Sequence, residues 1–485
     1  MTLLLLIPLL GALVAAMAPS DRIARWSGLA FQAWALVYTL GLALDYDAAA
    51  GGLQFVERLP WIPAFGIDYH VGADGLSIVL LLLTAIVSPF AVLTGVRAKW
   101  QVVMVLLLQT TLVGTFVAVN LILWFLFYEL SLAPAFLLAR SSGTPRAAAA
   151  SFRFFVYTFL GGMGILAGFL AIQAATGTFD LQMLAAGGGL VEVALEAGFG
   201  WPFAGTLVFA CIFLGLSVKV PVVPMHAWLP DAYAESPSAV TMLLTGLMSK
   251  MGVYGFLRLL VPLFPGHMAA LAPALLALAL VTIVFSAFTA LVQTDLKRML
   301  AWSSVNHLGY CLLGIFAAAA ANGTDAAQTS ATNGVILQIF NHGLTASALF
   351  AFVAFIEKRS GGARGIGDFG GLRTAAPVLA GLMGIAVFSS LGLPGLNGFV
   401  GEFLIFAGTF QIAPWAAAAA TAGLFATAVF LLNMIQRVFA GPLGGHSAGF
   451  RDLTAGEIAT VAPLVGLMFV LGIYPQVLIA LFHSP

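Results

Sequence analysis

Residues 203–225 read FAGTLVFACIFLGLSVKVPVVPM, and this stretch decides the fold. It is apolar and near the length of about 20 residues that a helix needs to cross the hydrocarbon of a bilayer. Lys219, Pro221 and Pro224 interrupt its end, and each proline removes a backbone donor and crowds the preceding turn. A broken helix at membrane depth is tolerated where it lines a cavity or is buried in protein. The segment therefore predicts a membrane protein with a charge placed at a helix break.

Composition places the rest of the chain in the same class. Of 485 residues, 61% are hydrophobic and 8% are charged, which excludes a soluble domain of this size. The net charge is zero, so no electrostatic surface for nucleic acid is expected. Cys211 and Cys311 lie inside apolar runs, which favours small core residues over a disulfide or a metal site. The chain carries no motif for a haem, a nucleotide or a redox centre, so we predict neither a metal nor a cofactor in it.

Apolar segments bounded by charges or by glycine and proline clusters predict an all-α integral membrane protein of about fourteen transmembrane helices. Residues 45–74 and the glycine-rich stretch 177–202 are treated as connections. The predicted helices are 2–18, 26–44, 75–95, 101–119, 121–139, 152–172, 203–225, 238–262, 271–291, 300–320, 334–356, 376–410 with a break, 414–437 and 458–482.

The basic residues predict the orientation of these helices. Fifteen lysines and arginines fall in odd-numbered connections, whereas Arg58 and Arg258 fall in even-numbered ones and Lys219 and Lys250 are buried. Because connections rich in Lys and Arg stay in the cytoplasm, both chain termini are predicted to lie outside. A wrong number of helices would have mixed the two sets of connections, so the bias also supports fourteen.

A second break is predicted in residues 376–410, where Gly392, Pro394 and Gly395 precede Glu402. The two breaks fall in helices 7 and 12, and transporters often place ion sites at matching breaks in two inverted repeats. We therefore predict two inverted five-helix repeats, helices 4–8 and 9–13. The predicted units are residues 1–100 with helices 1–3, residues 101–262, residues 271–437, and residues 438–485 with helix 14.

Ionisable residues inside predicted helices are the candidate site. They are costly in a bilayer and usually mark ion paths or proton relays, and histidine changes charge near neutral pH. A glutamate paired with a lysine would let a change in one charge drive proton release from the other. The predicted proton-translocating residues are Glu129, Lys219, Lys250, His307, His342 and Glu402.

Residues His226 and Asp231 lie between predicted helices 7 and 8, beside Pro230. They are candidates for the cytoplasmic mouth of the path. A solvated loop without a role in transport is the equally open alternative for them.

Three motifs resemble the antiporter-like subunits of respiratory complex I. They are Lys219-Val-Pro-Val-Val-Pro-Met-His226-Ala-Trp-Leu-Pro230-Asp231, Leu247-Met-Ser-Lys250-Met-Gly-Val-Tyr-Gly255, and Thr294-Asp295-Leu-Lys297-Arg298 continuing to Ser303-Ser-Val-Asn-His307. The resemblance runs from about residue 70 to residue 440. Within the family, Glu402 stands where sibling subunits usually carry a lysine, which points to one particular member. Tyr233 departs from the family pattern, because a histidine is common at that position.

The resemblance implies proton pumping driven by quinone chemistry in another subunit. Glu129 and Lys219 would be the coupling pair, Lys250 with His307 or His342 the central relay, and Glu402 the exit. FMN, iron–sulfur clusters and quinone would be bound by partner subunits, and the partners would be sibling antiporter-like chains and lipids in a bacterial inner membrane. A subunit of a sodium/proton antiporter or of a membrane-bound hydrogenase complex is the alternative. A structural spacer is the third possibility.

Overall fold

The computed structural model describes residues 1–321 and 326–482. Within these ranges, eleven helices are long and apolar enough to cross a membrane. Three shorter apolar helices accompany them, namely Thr2–Met17, Ala204–Lys219 and Pro377–Ser390. The prediction of an all-α integral membrane protein is confirmed, while the count of fourteen crossings and the inverted repeats stay predictions.

The N-terminal part contains four long helices and one hairpin. Asp74 begins the third helix by accepting a hydrogen bond from the Ser77 amide at 3.0 Å, which satisfies one free donor of the first turn. The elements are α1 (Thr2–Met17), α2 (Asp21–Asp45), β1 (Gln54–Ile62), β2 (Ile67–Ala73), α3 (Gly75–Thr94) and α4 (Lys99–Val117).

The middle part contains the first break. Helix α10 ends at Lys219, and helical structure resumes only at Met225–Trp228, so the two prolines interrupt the helix where the sequence predicts it. The elements are α5 (Leu121–Leu130), α6 (Leu132–Ala139), α7 (Pro145–Thr176), α8 (Leu181–Ala186), α9 (Leu190–Phe199), α10 (Ala204–Lys219), α11 (Leu229–Glu235), α12 (Ser238–Leu243), α13 (Ser249–Gly255), α14 (Val261–Leu263) and α15 (Pro265–Ala270).

The C-terminal part contains the second break, between α20 and α21. Gly392 and Gly395 adopt φ of 75° and 94° there, a backbone conformation that glycine reaches without a steric penalty. The elements are α16 (Ala272–Leu291), α17 (Leu296–Ala320), α18 (Ala326–Arg359), α19 (Leu372–Ala375), α20 (Pro377–Ser390), α21 (Asn397–Ile412), α22 (Pro414–Phe439), α23 (Ala455–Ile473) and α24 (Gln476–Ile479).

Three helical segments form the centre of the bundle. The most apolar windows of Ser238–Leu263, Leu296–Ala320 and Ala326–Arg359 are 94%, 89% and 94% buried, whereas those of α2, α7, α22 and α23 are at most 39% buried. Polar groups on the central segments are therefore shielded by protein on all sides. The predicted division into four units is not tested by this packing, and its last unit, 438–485, ends outside the described residues.

Two predicted connections contain regular structure. Residues 45–74 include the antiparallel hairpin β1–β2, in which Leu59 pairs with Tyr69, and residues 177–202 include α8 and α9. The hairpin is anchored by the Val119 amide, which donates to the His70 carbonyl at 2.9 Å, and by His70 Nδ1, 3.0 Å from Asp180. Sequence analysis missed the hairpin because Pro60 interrupts the first strand and because the hairpin is held by distant residues such as Asp180.

Candidate functional site

Lys250 lies at the centre of the bundle and is fully buried. Its helix is locally wound as a π-helix at Leu244–Met248 and again at Phe256–Leu260, a distortion frequent at functional sites. The Nζ atom donates to the Thr245 carbonyl at 2.6 Å and to the Ser249 hydroxyl at 3.2 Å. Its third neighbour is Nδ1 of His342, at 2.7 Å. A lysine amine is thereby placed in direct contact with an imidazole.

The two histidines continue this contact across the bundle. The rings of His342 on α18 and His307 on α17 lie 5.2 Å apart between centroids. Nδ1 of His307 lies 3.0 Å from Oε1 of Glu402 on α21, an ion-pair distance without hydrogen-bond geometry. Lys250, His342, His307 and Glu402 thus form one row of titratable side chains, each at most 6% exposed.

Hydroxyl and amide groups support this row. Ser390, the last residue of α20, lies 3.1 Å from His307 Nε2, and the Gln338 amide donates to Glu402 at 3.2 Å. A cavity of about 10 Å³ opens among these groups and both histidines. That volume is about the smallest that can hold one water molecule. A single water there would connect the two imidazoles, which do not touch through hydrogen bonds.

The second break is fastened to α18 by amide contacts. The Asn341 side chain donates to the Asn397 carbonyl at 2.6 Å, and Thr345 lies 3.1 Å from the Ser389 hydroxyl. Both partners flank the break between α20 and α21. These contacts hold the start of α21 so that Glu402, one and a half turns further on, points into the bundle.

Glu129 and Lys219 are neighbours but are not joined by an ion pair in the described part of the chain. Lys219 Nζ lies 4.5 Å above the ring of Tyr128, the residue before Glu129, and Lys219 is 3% exposed. Glu129 Oε1 is buried and has no hydrogen-bond partner among the described residues. The predicted coupling of Glu129 with Lys219 would therefore act through space, and the Tyr128 ring lies against the lysine.

Glycine makes room for the Glu129 carboxylate. A side chain at Gly162 on α7 would collide with the Glu129 carboxyl group, because its Cβ would lie 2.8 Å from the carboxyl carbon and closer still to Oε2. Nearby, a side chain at Gly161 would come within 3.1 Å of the Gly215 carbonyl on α10. Helices α7 and α10 can approach closely because Gly161 on α7 and Gly215 on α10 both lack a Cβ.

The structure separates the two residues predicted at the mouth. His226 packs with its ring 5.1 Å from that of Trp302 and 5.5 Å from that of Phe285. Asp231 instead binds Arg153 at 2.5 Å and Arg298 at 2.7 Å. His226 thus has aromatic neighbours and Asp231 has basic ones, and their role as the cytoplasmic mouth stays a prediction.

Sequence analysis missed a buried lysine outside this row. Lys297 is 2% exposed and lies on α17, but it was counted among the basic residues of a connection. The signal was present, because Asp295 is the N-cap of α17 and accepts from the Lys297 amide at 2.9 Å. A residue two positions after an N-cap belongs to the first turn of a helix, not to a loop.

This arrangement consists of groups that can transfer protons. Amine, imidazole and carboxylate groups in sequence can each accept and release a proton, and a buried lysine changes charge readily. The contacts run from the middle of the bundle toward the second break. Charge on one member changes the stability of charge on the next, because little solvent screens them.

Comparison with known proteins agrees with this chemistry. The family described as NADH:quinone oxidoreductase/Mrp antiporter, TM, matches residues 118–429, a range that contains all six predicted proton-translocating residues. The chain belongs to this family. The resemblance inferred from the three motifs is thus confirmed.

Individual relatives in the family are similar over nearly the whole chain. A protein of Rhodobacter capsulatus named NADH-quinone oxidoreductase subunit M is 36% identical over 465 residues, 94% of this chain and 88% of that protein. A subunit M of Mycobacterium tuberculosis is 32% identical over 526 residues, 98% of this chain and 91% of that protein. Subunit M is the member of the family to which Glu402 pointed.

Solved structures share the fold. A chain of respiratory complex I from Thermus thermophilus with bound NADH is 28% identical, with a TM-score of 0.86 over 99% of this chain and 97% of that one. A chain of the Mrp complex from Dietzia is 21% identical, with a TM-score of 0.85 over 99% and 98%. The second likeness concerns the fold alone.

Proposed function

We propose that this chain is a proton-translocating, antiporter-like membrane subunit of an NADH–quinone oxidoreductase. The observation that carries the proposal is the buried row Lys250–His342–His307–Glu402, in which each side chain contacts the next or lies within one water of it. Membrane proteins seldom bury four such groups without using them for transport. The names of its relatives indicate which complex the chain would belong to. The row of titratable residues indicates that its role there would be proton transfer.

In the proposed mechanism, quinone chemistry elsewhere in the complex changes the charge on the Glu129–Lys219 side. A change at Lys219 alters the balance of charge at Lys250, which then gives its proton to His342. His307 and Glu402 receive the proton in turn, and Glu402 beside the second break releases it. Successive transfers are favoured because two like charges on adjacent members of the row repel each other.

The proposal places no redox step in this chain. Its function would depend on FMN, iron–sulfur clusters and quinone held by other subunits, with sibling antiporter-like chains and lipids as its direct neighbours. The chain would be a multi-pass protein of a bacterial inner membrane with both termini outside. Supporting this orientation, Asp231 and Glu235 after the first break bind Arg153, Arg298 and Arg364, so three basic segments distant in the sequence meet on the same side of the bundle.

The experiment is extraction of the chain from its native membrane in mild detergent, followed by mass spectrometry of the proteins that remain bound. Flavin- and iron–sulfur-containing partners are expected. The same membranes, as sealed vesicles, should acidify when NADH is added, with no requirement for sodium. Recovery of only small hydrophobic partners, or acidification that needs a sodium gradient, would leave a sodium/proton antiporter subunit instead. A hydrogenase among the partners would instead identify the chain as a subunit of a membrane-bound hydrogenase complex.

A further inference from the structure

Lys297, which is buried, and Glu357, which is partly exposed, form a charged pair that the mechanism above does not use. Lys297 Nζ lies 3.8 Å from Glu357 Oε1 and also donates to the Ser236 carbonyl. The lysine side chain is 2% exposed and the glutamate side chain is 22% exposed. Other charges near Lys297 belong to Asp295, Glu235 and Arg364. The pair therefore lies where a cluster of charged residues, Asp295, Glu235 and Arg364, borders the protein interior.

A ladder of buried hydroxyl groups leads from Glu357 toward Lys250. Ser238 donates to Glu357 Oε2 at 2.5 Å. Thr241, Thr245 and Ser249 follow on the same segment at intervals of three and four residues, so they lie along one helix face. Each of them is at most 4% exposed. The face covers about 18 Å from Ser238 to Lys250 at 1.5 Å per residue.

Neighbouring elements add hydroxyl groups to the same face. The Thr245 hydroxyl lies 2.9 Å from that of Ser304 on α17, and the Tyr233 hydroxyl donates to the Leu244 carbonyl at 3.1 Å. Lys250 meets the ladder at the Ser249 hydroxyl, to which its Nζ donates at 3.2 Å, and the Thr245 carbonyl accepts a second hydrogen bond from the same amine. Hydroxyl groups both donate and accept, so they can pass a proton, and one turn between them is a gap that one water spans.

We propose that Glu357, held in place by Lys297, is the proton intake group for Lys250, on a path separate from Glu129 and Lys219. This inference rests on the proposed function. A proton from cytoplasmic water binds a Glu357 oxygen, and that bond breaks as the proton moves through the hydroxyl groups of the ladder. The neutral amine of Lys250 accepts it and becomes an ammonium. Nothing is oxidised or reduced, and Glu357 returns to its charged form beside Lys297.

The test is NADH-driven proton pumping by vesicles that contain the assembled complex. Glu357→Gln should lower the proton flux about tenfold or more, since a positioned acid–base group commonly contributes at least that much. Lys297→Met should lower it as well, because the glutamate loses the cation that holds it. Wild-type flux from an assembled Glu357→Gln complex would overturn the proposal.

A double variant separates transport from structure. If the pair serves only to stabilise the fold, removing both charges in Lys297→Met/Glu357→Gln should restore pumping, because neither charge is then left unpaired. If Glu357 is the intake group, the double variant stays as defective as Glu357→Gln alone. Restoration of pumping in the double variant would therefore refute the intake role.

Two further variants keep the test decisive if the charged variants fail to assemble. Thr241→Val keeps the shape of the side chain and removes only the hydroxyl, and it should slow pumping severalfold; full pumping would count against the ladder. Lys358→Met is the matched control, because this neighbouring lysine is 57% exposed and pairs with Glu457 instead. It should pump as the wild type does.

Lys250→Met distinguishes a failure of this inference from a failure of the proposed function. If Lys250→Met abolishes pumping while Glu357→Gln does not, the row stands and only the intake path is wrong. If both variants pump normally, the proposed function itself is wrong.

Discussion

The two charged regions of the molecule differ in how their members meet. Between Lys250 and Glu402, the titratable groups contact one another or share a cavity, deep among the most buried helices. Between Glu129 and Lys219, an aromatic ring lies against the lysine and the carboxylate has an oxygen without a partner. The first arrangement suits transfer of a proton by contact, and the second suits influence of one charge on another through space.

The difference also lies in the surroundings. Helix α7, which packs over Glu129, is only 39% buried in its most apolar window, whereas α18, which carries His342, is 94% buried. The Glu129 carboxylate thus lies against a helix at the surface of the bundle, although Lys219 itself is 3% exposed, whereas the central row is enclosed by protein. The comparison teaches that one chain holds two groups of charged residues in different surroundings, one beside a surface helix and one at the core.

The largest effect is expected from breaking the central row at His342. His342→Phe keeps a ring of similar shape but removes the group that contacts Lys250, so pumping should fall by about two orders of magnitude or more. The measurement is proton flux per NADH oxidised in vesicles. Pumping within twofold of wild type would show that Lys250 passes its proton by another route.

A smaller loss is expected at the end of the row. Glu402→Gln retains the contact with Gln338 but removes the acid, and flux should fall about tenfold. Glu402→Asp keeps the acid at a greater distance from His307 and should recover part of that loss. Equal activity of the two variants would mean that the carboxylate serves only as a structural partner of Gln338.

At Glu129, proton pumping should be sensitive to the space around the carboxylate, because this group has no hydrogen-bond partner at Oε1 among the described residues. Gly162→Ala places a methyl group against the Glu129 carboxylate, so the carboxylate must move and pumping should fall severalfold. Gly384→Ala on α20 is the matched control, because a methyl group there meets open space. Equal flux from both variants would show that the position of Glu129 does not matter.

The smallest effect is expected at the aromatic ring that lies against Lys219. Tyr128→Phe keeps the ring below Lys219 and should leave flux within about twofold of wild type. Tyr128→Leu removes a cation–π contact worth about 1 kcal/mol and should slow pumping several times more. If the Phe variant is as slow as the Leu variant, the hydroxyl rather than the ring matters.

Sequence patterns predicted the parts of the fold that rest on helix physics. Apolar length gave the helices, and Pro221, Pro224, Gly392 and Gly395 gave both breaks, because these residues act on the local backbone. The hairpin 54–73 was missed because its stability comes from distant partners such as Asp180. No local pattern reports a contact with a residue more than a hundred positions away.

The same reasoning applies to the site. Each of the six site residues could be proposed from its charge at membrane depth, and their roles in transport stay predictions. The resemblance implied their order along the path, but not which histidine contacts Lys250, since the contact of Lys250 with His342 joins two helices through tertiary packing. Lys297 was missed because one charge near a helix end is ordinarily solvated, and only the packed structure encloses it.

The π-helical turn at Leu244–Met248 makes the site sensitive to the deletion of a single codon. Such a turn holds one residue more than an α-helical turn, so it is equivalent to a single inserted codon. Deleting one residue there would restore the α-helix and rotate everything on one side by about 100° relative to the other. Lys250 would then face away from His342 although every side chain of the row would still be encoded. A loss of pumping could thus arise from a codon that specifies no part of the row.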